Sequence, residues 1–128
     1  KLKSKFKDKV IKAAIIDDDI IYLQIIENLL QNIGFEVYNF KRAAEINSFL
    51  DQNIIDIILT DIQIFDYSGI DLSKDIKALN NENNQRPIIA ISGDTYYNQK
   101  NIKALGFDDI LIKPINKEEL YQKLYNLL

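Results

Sequence analysis

Apolar residues fall along this chain in two kinds of run. Residues 10–16, 54–60, 86–92 and 109–113 are short, nearly continuous apolar stretches, as expected of strands buried on both faces. "FEVYNF" (35–40) instead alternates with period two, the pattern of a half-buried edge strand. Between these runs the spacing turns helical. Ile21, Ile25, Leu29 and Ile33 step by four, and Ile26 and Leu30 widen the stripe, which predicts a helix over residues 20–33. Asp19 is placed to N-cap it and Gly34 to end it in a left-handed C′ conformation. Further helices are predicted over residues 43–50, about 70–79, more weakly 98–105 (closed by Gly106), and 117–128, the last with Leu120, Leu124 and Leu127 inward.

Five strands alternating with five helices at short spacing predict parallel βαβ units with right-handed crossovers. The expected fold is α/β: a flavodoxin-like, doubly wound, five-stranded parallel sheet of order 2-1-3-4-5 with five helices. Ligands in such sheets bind beyond the carboxyl ends of the strands, beside the switch point between strands 1 and 3. That edge carries Asp17 and Asp18 after strand 1, Asp61 after strand 3, Ser92 after strand 4 and Lys113 after strand 5.

At 128 residues the chain is one domain by length, long enough to bury a core. Residues 1–9, "KLKSKFKDK", carry lysine at every odd position and read as a solvated lead-in or the end of a linker, with the domain over 10–128. The chain starts on Lys and has no Met, so a piece of a longer protein is expected. A net charge of −3 favours neither nucleic acid nor anionic membrane as a partner of this domain. There is no apolar run near eighteen residues and no signal-peptide pattern. Without Cys there are no disulfides and no thiol chemistry, which fits a cytoplasmic setting. Without His either, any metal is expected to be a hard cation held by oxygen, and the commonest general base is missing.

Carboxylates brought to one edge repel one another, and near neutral pH they take up a proton or hold a cation. Mg²⁺ suits one or two carboxylates and completes its shell with water and phosphate oxygens. A lysine and a hydroxyl at the same edge supply a point charge and a hydrogen bond to a phosphoryl group. Metal, carboxylate nucleophile, lysine and hydroxyl are the parts for phosphoryl transfer to an aspartate. Each alone has a plainer explanation: strand-end aspartates cap helices, Ser-Gly makes turns, and Lys113 could be an ordinary surface lysine. Their arrival at one edge favours the shared chemistry.

The acidic pair in "IIDDD", "LTD" with Gly69 eight residues on, "AIS-G", and "LIKP" with Gly106 upstream together resemble the receiver domains of two-component response regulators, over about residues 10–128. The resemblance implies that Asp61 is the phosphoacceptor, that Asp18 binds Mg²⁺ directly and Asp17 largely through water, and that Asp61 and the Gln63 backbone carbonyl complete the protein's share of the metal shell. Lys113 then pairs with the phosphoryl group, Ser92 is the hydroxyl switch residue, and Gly93 leaves room for the phosphate. A cis Lys113–Pro114 bond is also implied.

The implied partner is a histidine kinase or a histidine phosphotransfer domain, which supplies the histidine that this chain lacks. A weak homodimer is a further expectation, as is a cytoplasmic place, alone or in a membrane-bound hybrid kinase. The rival expectation is a pseudo-receiver that binds proteins without being phosphorylated. A haloacid-dehalogenase-type enzyme is disfavoured because Gln63 stands where its second Asp belongs, and neither phosphate-binding glycine motif occurs. The chain departs from the family at Ile64 and Phe65, where Met-Pro is usual, and at Ile110, where an aromatic ring is common. Coupling is therefore expected to run through Ser92 and the 93–98 loop, with Tyr96 or Tyr97 as the ring. A docking surface is expected on the 98–105 helix, the fifth strand and the last helix, beside Tyr97, Tyr121 and Tyr125.

Overall fold

The computed structural model describes residues 5–128. Five parallel strands form the sheet: β1 (Lys12–Ile16), β2 (Glu36–Phe40), β3 (Ile57–Asp61), β4 (Ile88–Ser92) and β5 (Asp109–Ile112). Their order is β2-β1-β3-β4-β5, as the alternating pattern predicted. Helices α1 (Ile20–Gln31), α2 (Ala43–Gln52), α3 (Gly69–Lys77) and α4 (Lys117–Leu127) cover the two faces.

Side-chain alternation divides the core. Ala14, Ile16, Ile58, Ile88, Ala90 and Ile110 face α2 and α3. Their neighbours Ala13, Ile15, Ile57, Leu59, Ile89, Ile91 and Leu111 face α1 and α4. Both sets are buried, so the strands read as continuous apolar runs and not as alternating ones.

The helix count is the first correction. Four α-helices lie between residues 10 and 128, and the helix expected over 98–105 is replaced by turns ending in the 3₁₀ segment Lys103–Leu105. Asparagine side chains bond backbone groups at the start of this segment, around its one full helical turn, Ile102 N–H to the Asn98 carbonyl at 3.2 Å. The Asn98 N–H donates to Asn101 Oδ1 at 2.9 Å, the Lys100 N–H to Asn98 Oδ1 at 2.8 Å, and the Asn101 amide to the Tyr96 carbonyl at 2.9 Å. Such local bonds compete with helix propagation.

The second correction concerns α1. Its buried residues are Leu23, Ile26 and Leu30, while Ile21 is 63% exposed and Ile25 39%. The helix is apolar around most of its circumference, and packing on β1 selects a face rotated from the four-residue stripe. Its ends are as expected: Asp19 accepts from the Ile21 N–H at 3.0 Å, and Gly34 has φ 87°. Gly106 likewise takes φ 99°.

Of the lysine-rich start, residues 1–4 lie outside the described residues. Beyond them Phe6 packs edge-on against Phe35, with centroids 6.0 Å apart. The aromatic surface expected on one side also divides. Tyr97 packs against the α2–α3 core, but Tyr121 and Tyr125 pack against the α1–α4 core, and the Tyr121 hydroxyl donates to the Leu29 carbonyl at 2.7 Å. Only Tyr97 of the three lines the shallow groove with Ile110, Ile112 and Lys123. No helix among the described residues is long and apolar enough to cross a membrane.

Candidate functional site

Strand register assembles the site. Ile16 pairs with Thr60, so the next residues, Asp17 and Asp61, emerge side by side from β1 and β3. Ser92 pairs with Ile112 across β4 and β5, and the Lys113 N–H donates to the Ser92 carbonyl at 2.8 Å. Four strand ends thus converge on one patch at the carboxyl edge.

Lys113 bridges the two carboxylates, with Nζ 2.9 Å from Asp61 Oδ2 and 3.1 Å from Asp17 Oδ2. The geometry toward Asp61 is that of a hydrogen bond. Toward Asp17 the angle is poorer: Oδ2 is buried and makes no well-aligned hydrogen bond. The 3.1 Å approach is an ion pair that leaves room on that oxygen for a further positive partner. Each carboxylate's other oxygen is held by backbone. Asp17 Oδ1 accepts from the Asp19 N–H and Asp61 Oδ1 from the Gln63 N–H, both at 2.9 Å.

Burial is the main reason that the Asp17 carboxyl is pushed up from 3.8 to about 6. The Asp61 charge adds to it, while the Asp19 hydrogen bond and Lys113 oppose it. For Lys113 burial pulls the other way, but the hydrogen bond to Asp61 and the charges of Asp61 and Asp17 outweigh it and leave the ammonium's pKa raised. Asp17, Asp18 and Asp61 each bring a carboxylate oxygen within 4.8 Å of the others. Asp17 is 1% exposed and Asp61 7%, and Asp18 is exposed. Three convergent carboxylates against one lysine, with one buried oxygen lacking a well-aligned donor, fit a hard divalent cation. The donor set is all oxygen and the open side faces solvent through Asp18.

Ser92 is buried, and its hydroxyl is engaged within its own loop. Oγ donates to the Asp94 carbonyl at 3.0 Å and accepts from the Asp94 N–H at 2.9 Å. A Cβ built on Gly93 meets nothing within 4 Å, so this glycine borders open space. Gly69 is different: a Cβ there would overlap the Asp61 carbonyl oxygen and come within 2.9 Å of Ile62 Cα. Its N–H donates to the Ile62 carbonyl at 2.7 Å. The spacing of eight from Asp61 is therefore the point where the start of α3 crosses back over the end of β3.

Gln63–Ile64 and Tyr67–Ser68 form a two-residue antiparallel ladder, with Ile64 buried and Phe65 90% exposed at its tip. The Lys113–Pro114 bond is cis. Two participants had no sequence signal. Asp94 holds Ser92, and Tyr22 sets its ring under Lys113, 4.2 Å from Nζ. Tyr22 sits inside an apolar helical run, where no motif marks it.

The response regulator receiver domain family model matches residues 13–125. The chain belongs to that family. This receiver is 30% identical over 110 residues to the sensor protein GacS of Pseudomonas syringae pv. syringae, covering 84% of this chain and 12% of GacS. It is 29% identical over 119 residues to the cell cycle transcriptional regulator CtrA of Caulobacter vibrioides, covering 89% of this chain and 48% of CtrA. The receiver thus spans less than half of either curated relative. Among solved structures it matches chemotaxis response regulator CheY4 of Vibrio cholerae with a TM-score of 0.84 and 25% identity, over 94% of this chain and 100% of that one.

Proposed function

We propose that this receiver accepts a phosphoryl group on Asp61 from a phosphohistidine of a histidine kinase or histidine phosphotransfer domain, in a Mg²⁺-dependent reaction. The observation that carries this is the Lys113 ammonium lying 2.9 Å from Asp61 Oδ2 and 3.1 Å from Asp17 Oδ2, beside a third carboxylate. An Asp61 oxygen attacks phosphorus in line as the donor's P–N bond breaks. The imidazole leaves neutral, having carried a proton on its other nitrogen.

Asp17, Asp18 and Asp61, with the Gln63 carbonyl, would hold the metal. Bound Mg²⁺ supplies positive charge to the phosphoryl oxygens as they approach an acidic pocket. Lys113 follows the charge from the Asp61 carboxylate onto a phosphoryl oxygen, and Ser92 turns from Asp94 to donate to another. Burial of Asp61 keeps water from competing with the donor for the site.

Similarity to a stretch of a sensor protein supports a place within a larger sensor kinase, and similarity to CtrA keeps a separate regulator in view; both are cytoplasmic arrangements. The test is incubation with acetyl phosphate and Mg²⁺, followed by intact mass. One phosphoryl group is expected on the wild type and none on Asp61→Asn or without Mg²⁺. Uptake by Asp61→Asn at the wild-type rate would mean that another residue is the acceptor, and no uptake by the wild type would favour the pseudo-receiver.

A further inference from the structure

Among the described residues the Lys113 ammonium is held by Asp61 and Asp17, which belong to the acidic set, and by an aromatic ring, which does not. Asp61 Oδ2 and Asp17 Oδ2 lie at 2.9 and 3.1 Å, and the ring is that of Tyr22, with its centroid 4.2 Å from Nζ. An ammonium over an aromatic face at this distance is held by the ring quadrupole, most strongly where water is kept away. The Lys113 side chain is 16% exposed, so it is largely shielded.

The backbone that carries the ring is set by the acidic triplet itself. Asp17 Oδ1 accepts from the Asp19 N–H at 2.9 Å, and Asp19 Oδ1 accepts from the Ile21 N–H at 3.0 Å. Two successive hydrogen bonds therefore fix the start of α1 relative to Asp17. Tyr22 is the third residue of that helix, so the cap sets where its backbone stands beside Lys113.

The three contacts differ in what happens to them during reaction. Asp17 and Asp61 are the groups that would bind the cation, and Asp61 also gives up its charge to a bond with phosphorus. Both carboxylates therefore loosen their hold on Lys113 when it has to meet the phosphoryl group. The Tyr22 ring carries no charge to give up, and its attraction for the ammonium persists through each step. Resting on the assignment of Asp61 as phosphoacceptor, we propose that Tyr22 is a positioning residue for phosphoryl transfer: its ring holds the Lys113 ammonium over the site while the carboxylates change partners. The plainer alternative is that the ring only covers the lysine stem, which any apolar side chain of similar size would do.

Two variants separate these roles. Tyr22→Phe keeps the ring and drops the hydroxyl, and Tyr22→Leu keeps apolar cover without an aromatic face. The first measurement is the NMR shift of the Lys113 ε protons, without Mg²⁺ or any phosphodonor. Wild type and Tyr22→Phe should show them shifted upfield by the ring current, and Tyr22→Leu should return them to ordinary lysine values.

The second measurement is the rate of phosphorylation by acetyl phosphate with Mg²⁺. Tyr22→Leu should be slowed about two- to thirtyfold, the range of one cation–π contact from exposed to shielded, with Tyr22→Phe near wild type. Unshifted ε protons in the wild type overturn the proposal, as does a Tyr22→Leu rate equal to wild type or a Tyr22→Phe rate as slow as Tyr22→Leu. If Tyr22→Leu does not fold, Tyr22→Met takes its place with the same expected values. No phosphoryl uptake by the wild type overturns the phosphoacceptor assignment and this role with it, while the ε-proton shift remains a separate measurement of the contact.

Discussion

Lys113 and Asp61 are 52 residues apart in sequence and 2.9 Å apart at Nζ and Oδ2. The pair spans the end of the sheet from β3 to β5, over β4, and Asp17 joins it from β1. Its members depend on one another for stability as well as chemistry. Removing the lysine leaves two poorly solvated carboxylates facing each other without a cation.

Lys113→Met should therefore destabilise the metal-free protein at neutral pH by about 1–3 kcal/mol. Part of that loss should return with Mg²⁺ or on acidification, because either relieves the carboxylate repulsion. Urea unfolding with and without Mg²⁺ checks it. A loss that neither condition reduces would place the cost in packing of the lysine stem.

The raised Asp17 carboxyl gives a pH dependence with a definite sign. Its folded value is about 6 against an ordinary 3.8, so between these values the folded protein binds a proton that the unfolded chain has released. The stability contributed by this group is complete below the ordinary value and is lost as pH rises through about 6. Mg²⁺ requires the ionised carboxylate, so its stabilising effect should run the other way, small near pH 5 and larger by several degrees of melting temperature near pH 7.5. Asp17→Asn should raise the metal-free melting temperature at the higher pH and remove most of the Mg²⁺ effect. Thermal melts across this range provide the measurement.

Gly69 tests how closely the loop after Asp61 must fold back. Because a Cβ meets the Asp61 carbonyl oxygen, Gly69→Ala must push α3 away from the end of β3. A cost of about 1–3 kcal/mol is expected from overpacking. Phosphorylation should slow as well, since the next peptide along, Ile62–Gln63, carries the Gln63 N–H bond to Asp61 Oδ1. Gly93→Ala, with nothing within 4 Å of the added carbon, should leave stability within about 0.5 kcal/mol of wild type.

Ser92 offers the route by which modification is felt at a distance. Its hydroxyl makes two bonds to Asp94, and drawing it to a phosphoryl oxygen breaks both. The loop through Tyr96 and Tyr97 should then move. Ile110 is buried at 5% exposure and stiff at χ1, so it should keep its rotamer. Comparing the free protein with its beryllofluoride–Mg²⁺ form, where beryllofluoride stands in for the phosphoryl group, should shift Asp94 to Tyr97 amides strongly. Ser92→Ala should abolish most of that change. Movement of Ile110 with a fixed loop would contradict it.

The sequence by itself determined the strand set, the sheet order and which residues gather at the carboxyl edge. Continuous apolar runs of five to seven residues, set between helical repeats, read as strands covered on both faces, and a parallel sheet sends their carboxyl ends to one edge, which gathers Asp17, Asp61, Ser92 and Lys113 there. Glycine left-handedness at Gly34 and Gly106 was equally local. The rest needed tertiary structure. A helix as apolar as α1 does not specify which face is buried, and only packing on the sheet chose Leu23, Ile26 and Leu30 over Ile21 and Ile25. The 98–105 segment makes one helical turn and then tightens to i→i−3 bonds before Gly106, a path set by how the loop is held between β4 and β5. Tyr22 had no motif to mark it, and only the cap on Asp19 and the reach of Lys113 brought ring and ammonium together. Periodicity reports burial, but contacts between side chains from different elements depend on orientation, which no single segment encodes.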